Sequence, residues 1–195
     1  MRVNSSPFSS LPRQQANKGF TLIEALIAFI ILTVGLLGTI ALQSSAKKAS
    51  YDANQRSAAL ALANDIVERI RSNDSVNLVN QYDVDFNFQT ALRNTNCMNA
   101  VCSSDQMAQY DILQWQKALR VADNTGALAN GFVCITPTAE VTPAGVQPTS
   151  VDLQVVVAWQ GRAEIKQSNE NSSVVCGNLS NRRMVVVNSY IFVRA

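Results

Sequence analysis

Between Ala25 and Leu42 the chain runs for 18 residues without a charged side chain, in a stretch rich in leucine and isoleucine. Extended back to Phe20, the run holds one ionisable residue, Glu24. As a helix, residues 20–42 reach roughly 35 Å, enough to cross a hydrocarbon core of about 30 Å. Few folds accommodate such a segment: it crosses a membrane or it is removed as a signal. Arg2, Arg13 and Lys18 precede it with no acid among the first 19 residues, and Lys47 and Lys48 follow it, so the positive-inside rule favours a cytoplasmic N-terminus by a small margin. The remaining 20–195 carry 13 basic and 14 acidic residues, so the basic character belongs to the leader.

Glu24 is costly in such a helix. A carboxylate at the bilayer centre costs about 2.5–3.5 kcal/mol, less near an end, and usually marks a function. In the first turn the helix dipole offsets part of this, by about 0.3–1 kcal/mol. Cleavage before Phe20 would add a second compensation, a new α-ammonium able to pair with a carboxylate of its own or a neighbouring subunit.

The junction Lys18-Gly19-Phe20-Thr21-Leu22-Ile23-Glu24 resembles the class III signal of type IV pilins and pseudopilins. The resemblance implies that a prepilin peptidase cuts after Gly19, that Phe20 is N-methylated, and that Glu24 supports assembly into a filament. The competing interpretation is a conventional signal peptide cut after Ser44-Ser45-Ala46. Its apolar region would exceed the usual 7–15 residues, and it leaves Glu24 and the junction without a role.

Beyond the apolar run, Ala46, Ala49, Ala53, Arg56, Leu60, Ala63, Val67 and Ile70 recur at steps of three and four, which predicts an amphipathic continuation. No proline interrupts Phe20–Arg71, so one helix is expected over that whole span, ending near Ser72-Asn73-Asp74, with Gly35 and Gly38 as its weak points. The stretches Gly35-Leu36-Leu37-Gly38, Ala41-Leu42-Gln43 and Ala63–Asn73 resemble the PilV group of minor pilins, although Gly38-Thr39-Ile40-Ala41-Leu42-Gln43 departs from the glycine-leucine-glutamine step of that group.

After a largely polar stretch, 74–96, Ser103 and Gln106 form a potential capping box, and Ala108, Ile112, Trp115 and Leu119 share one helical face, predicting a helix over about 104–121 with Trp115 in the core. Gly126 and Gly131 mark turns. Strand character appears in 131–136, in the alternating 151–159 and in 184–193, while Pro137, Pro143 and Pro148 argue for an irregular loop between the first two. Residues 167–173 have the composition of an exposed turn. Val155–Gly161, Cys176 and Arg182-Arg183 again resemble the C-terminal part of PilV-like minor pilins.

Cys97, Cys102, Cys134 and Cys176 all follow the anchor, and their even number favours disulfides in an oxidising compartment, the periplasm. Three pairings are open; Cys97–Cys102 as a small staple and Cys134–Cys176 as a clasp between two sheet segments are favoured. With no histidine in the chain and only Cys97 and Cys102 spaced as paired ligands, no metal site, cofactor or catalytic residue is expected. Lys47-Lys48 reads as a solvated or headgroup-facing pair, and a mature chain near −1 offers no footprint for nucleic acid.

The expected architecture is α+β: a long N-terminal helix, half transmembrane and half amphipathic, packed on a small antiparallel sheet. The expected segments are a cleaved leader (1–19), a transmembrane and filament-core helix (20–42), an amphipathic half (43–72) and a periplasmic domain (73–195). The resemblance implies a non-enzymatic minor pilin, held in the inner membrane by a single span and present in the pilus filament. Its implied partners are prepilin peptidase, other minor pilins, the major pilin and the inner-membrane assembly machinery, with a contribution to twitching motility. The alternatives are a type II secretion pseudopilin, with the same N-terminus and other partners, and a cleaved soluble periplasmic domain.

Overall fold

The computed structural model describes residues 19–99, 101–143, 146–162, 173–178 and 181–194. The leader up to Lys18 and most of the stretch 167–173 lie outside these residues. The chain divides into two compact units, Met1–Lys47 and Lys48–Ala195.

In the first unit every described residue is exposed, and residues from Leu22 onward form the N-terminal part of α1 (Leu22–Ser72), a single helix of 51 residues. It is long and apolar enough to cross a membrane. Its two threonines turn their hydroxyls back onto the helix, Thr33 Oγ1 donating to the Ile30 carbonyl at 2.9 Å and Thr39 Oγ1 to that of Leu36 at 2.8 Å. An apolar solvent would leave such hydroxyls unsatisfied at a cost, and here they need no external partner. Around Gly35 and Gly38 the helix surface is open.

The second unit adds α2 (Leu78–Tyr82), β1 (Val84–Asn87), α3 (Ser104–Asn124), β2 (Phe132–Ala139), β3 (Ser150–Gln160) and β4 (Arg182–Phe192). The strands form one antiparallel sheet in the order β1-β2-β3-β4, against which the C-terminal half of α1 packs. The alternation in β3 does what its sequence dictates: Val151, Leu153, Val155, Val157 and Trp159 line the inner face and are at most 2 % exposed. They meet Ala59, Ala63, Ile66 and Ile70 of α1 and Ile112, Trp115 and Leu119 of α3 in one core.

The buried face of α1 differs from the spacing-based expectation over its first half. Ala46, Ala49, Ala53, Arg56 and Leu60 are exposed, and the inward line runs through Gln55, Ala59, Ala63, Ile66, Val67 and Ile70. Alanine gains little from burial, so a stripe of alanines does not fix a helix face. Specific bonds at Gln55 do: its Oε1 accepts from Trp159 Nε1 at 3.3 Å and its Nε2 donates to the Gly126 carbonyl at 3.3 Å.

Helix α3 begins at the capping box. Ser103 Oγ accepts from the Gln106 N–H at 3.3 Å, and the Gln106 side chain accepts from the Ser103 N–H at 2.9 Å. The polar stretch after α1 contains two short elements that its composition hides, α2 and β1. Pro137 lies inside β2, contrary to the loop expected there. β1 pairs only with 132–135, so at Pro137 the sheet continues on one side only, a position that tolerates a missing N–H. Between α3 and β2, Gly126 has φ of 74° and Gly131 sits so close to Leu119 that an added Cβ would lie 2.5 Å from its Cδ1.

Candidate processing and assembly site

Gly19 and Phe20 precede the first helical turn and are exposed, Phe20 by 79 %. Thr21 closes the helix end: its carbonyl accepts from the N–H groups of Glu24 (3.1 Å) and Ala25 (3.2 Å), and its Oγ1 accepts from Glu24 at 3.4 Å. The peptide bond after Gly19 therefore lies outside the helical hydrogen-bond ladder, in extended or irregular backbone. Glu24 stands in the first turn, where the positive end of the helix dipole favours its charge. Among the described residues no cation pairs with it.

The four cysteines form two disulfides, Cys97–Cys102 and Cys134–Cys176, each with Cα atoms 5.8 Å apart. Cys134 lies on β2, but Cys176 belongs to an irregular segment before β4 and not to a second strand. That segment covers the outer face of the sheet, where Cys134, Cys176, Val156 and Ala158 form a small second core. Arg182 fixes it by donating to the carbonyls of Val174 (2.8 Å), Cys176 (3.2 Å) and Gly177 (3.4 Å). Arg183 pairs with Asp52 at 3.4 Å, so both members of this basic pair are engaged within the domain.

A polar knot, buried at Tyr82 and Asp111 and open at Asp65, ties the end of α1 to α2 and α3. Asp111, 4 % exposed, accepts from Tyr82 Oη at 3.0 Å and from Arg69 Nη1 at 3.3 Å. Arg69 also pairs with Asp65 at 3.0 Å, and Asp65 accepts from Trp115 Nε1 at 2.9 Å. Asn73 donates to Tyr82 Oη (2.9 Å) and to the Ser104 carbonyl (2.9 Å). Asp65, Arg69 and Asn73 come from the segment that resembles the PilV ending, at four-residue steps on one helix face. That spacing is the signal by which the knot was detectable; nothing in the sequence marks Tyr82 or Asp111 as its other members. A cleft of about 450 Å³ opens beside the knot, lined by Arg69, Ser72, Asn73, Ser103, Met107 and Asp111 among others.

Burial pushes the Asp111 carboxyl above its ordinary value, while the bonds from Tyr82 and Arg69 pull it down and the Asp65 charge raises it. Burial likewise raises the Tyr82 hydroxyl well beyond its usual range. A carboxyl raised in the folded state binds protons more readily there than in the unfolded chain, so its contribution to stability grows as pH falls. The window opens at the raised value and closes near the ordinary 3.8. Titrating stability from pH 7 to about 4 is therefore expected to show the native protein gaining relative to Asp111→Asn; a native protein that loses stability relative to Asp111→Asn on acidification would contradict this sign.

Residues 41–113 match the family model described as the type IV pilin Tt1218-like family, and residues 14–40 match that of the prokaryotic N-terminal methylation motif. The second match spans the Gly19–Phe20 junction and Glu24; the first takes in the second half of α1, the knot and the start of α3. No curated protein and no solved structure matches the chain. The matched family is structural and not enzymatic. With the methylation motif spanning the Gly19–Phe20 junction and the start of an apolar helix, and that helix packed through its second half on a four-stranded antiparallel sheet, the chain is a type IV pilin-like protein.

Proposed function

We propose that this protein is a minor pilin of PilV type, processed between Gly19 and Phe20, methylated at Phe20 and inserted into a type IV pilus through residues 20–42. The observation that carries the reading is the order of parts: within the methylation motif the Gly19–Phe20 junction precedes the apolar helix, so cleavage there keeps the anchor attached to the domain. Two disulfides beyond the anchor favour an oxidising compartment, and thus a periplasmic domain with the leader in the cytoplasm. The segment Ala63–Asn73, whose polar members build the knot, supports the PilV-type assignment. Prepilin peptidase, the inner-membrane assembly machinery, the major pilin and other minor pilins are the partners of this reading, and priming of pilus assembly is its role.

Glu24 has a defined task in this scheme: its carboxylate, kept in an apolar helix at a desolvation cost, receives the Phe20 ammonium of a neighbouring subunit. Glu24→Ala is expected to be cut after Gly19 and to stay in the inner membrane, yet to enter sheared filaments at a small fraction of the native level. Normal entry of Glu24→Ala would remove that task. Deletion of the gene is expected to reduce surface pili and twitching without affecting type II secretion; normal piliation with lost exoprotein secretion would replace the minor-pilin reading by the pseudopilin one.

A further inference from the structure

The contacts of α1 around Tyr51 gather charge of one sign. Arg162, just past β3, lays its guanidinium over the Tyr51 ring at 3.9 Å. Tyr51 is half-buried and fixed in turn, its hydroxyl donating to the Gly126 carbonyl. Beside it Arg183 of β4 pairs with Asp52 at 3.4 Å, next to Arg182 and its carbonyl clamp. Lys48 opens the same stretch of helix and, like Arg162, is exposed. Among the described residues neither Lys48 nor Arg162 forms an ion pair. The acids brought here are Asp52, already paired, and Asp123, which accepts from the Asn130 N–H at 2.7 Å. Toward the end of α1 the balance is reversed: Asp65, Glu68, Asp74, Asp105 and Asp111 stand against Arg69, Arg71 and Arg194. Residues 20–195 carry 13 basic and 14 acidic side chains, so this polarity comes from placement and not from composition.

We infer that Lys48 and Arg162 form a headgroup-binding rim that docks the domain on the anionic phospholipid surface of the membrane its own anchor crosses. The inference rests on the anchor reading above and not on the choice between pilin and pseudopilin. Tether and charge together select the occupant. Tyr51 stands nine positions beyond Leu42, about 13 Å along α1, and its Cα lies no farther than that from the apolar edge whatever the tilt of the helix. Helical side chains lean toward the helix N-terminus, so the ring and the guanidinium stacked on it lean back toward Lys48. The headgroup layer is about 5–7 Å deep, and its potential decays over roughly a further 8 Å, which brings both cations within its reach. A guanidinium stacked face-on keeps the N–H donors along its edge for phosphate oxygens, two at a time. The same surface repels the acidic end of the domain, so charge favours one seating over the reverse. Local sequence marks only Lys48 and its neighbour Lys47 for such a contact; Arg162 joins them because Tyr51 gives it a ring to stack on.

The test takes the full chain recovered from membranes, places it in nanodiscs of phosphatidylcholine alone or with about one third phosphatidylglycerol, and treats both briefly with phenylglyoxal, a neutral reagent for guanidinium groups. Peptide mapping reads each arginine separately. Each cation near an anionic surface gains about fivefold in occupancy, so Arg162 is expected to react about fivefold more slowly in the phosphatidylglycerol discs. About 0.5 M salt is expected to abolish the difference, because it shortens the screening length to roughly 4 Å. Arg194, at the acidic end and with its side chain 79 % exposed, is expected to react alike in both discs. Lys48→Glu keeps Arg162 as the reporter and is expected to remove most of its protection. Equal reactivity of Arg162 in the two discs, equal slowing of Arg194, or full protection retained in Lys48→Glu would overturn the inference and leave the anchor reading standing. A chain that does not stay in the discs would overturn both.

Discussion

Replacing Cys134 and Cys176 together by alanine is expected to lower the stability of the folded domain by about 4 kcal/mol, against about 2 kcal/mol for the same replacement of Cys97 and Cys102. The cysteines are 42 residues apart in the first pair and five in the second. A cross-link removes more freedom from the unfolded chain the longer the loop it closes, and the difference between these loops follows from that term alone. Alanine avoids leaving hydroxyls in the small apolar core that Cys134 and Cys176 share with Val156 and Ala158. The Arg182 clamp on the carbonyls of Val174, Cys176 and Gly177 remains, so the segment is expected to stay near the sheet in the folded state, with the loss arising mainly in the unfolded one. Guanidinium unfolding of the two double variants checks the ranking; a larger loss from the short loop would show that local strain or packing outweighs loop length.

Trp115→Ala is expected to cost 3–5 kcal/mol, roughly the range for removing a large aromatic side chain from a packed core. Trp115 is 1 % exposed, packs at 6.0 Å from the Tyr82 ring, and joins the layer of α3 to that of α1 by donating to Asp65. Removing it opens a cavity between α1, α3 and the sheet and leaves Tyr82 without its neighbour. Trp115→Phe separates the parts of this effect. It keeps most of the volume and loses the N–H, whose acceptor Asp65 is half exposed and still paired with Arg69, so a loss of only about 1 kcal/mol is expected for the bond, together with a modest packing change. Equal losses in the two variants, measured by chemical denaturation, would place the hydrogen bond and not the packing at the centre of this contact.

The parts of the fold legible in the sequence are those where one local rule decides the outcome. The apolar run and the absence of proline set α1 at Leu22–Ser72, the Ser103–Gln106 spacing sets the start of α3, and strict alternation sets the inner face of β3. Where several weak rules compete, the sequence is silent. Ala46, Ala49 and Ala53 mimic an apolar face, but the inward side is decided by Gln55 bonding Trp159, more than 100 residues away. β1 has only Val84 and Phe86 turned toward the core, too few to show a period, and it forms because β2 offers it an edge. Pro137 signals a loop until the short length of β1 is known. The methylation motif that holds Gly19, Phe20 and Glu24 is contiguous and so carries a local mark, while Tyr82 and Asp111, brought to Arg69 and Asn73 from separate elements, have none.

The central claim is that the chain keeps its apolar helix because it is cut ahead of it. Intact-mass and N-terminal peptide analysis of the protein purified from cells that make the filaments tests this most directly. The account predicts a chain beginning at Phe20, heavier by one methyl group at its amino terminus, and a Gly19→Val variant that accumulates in the membrane beginning at Met1. A mature chain beginning at Lys47, without the helix, would contradict it.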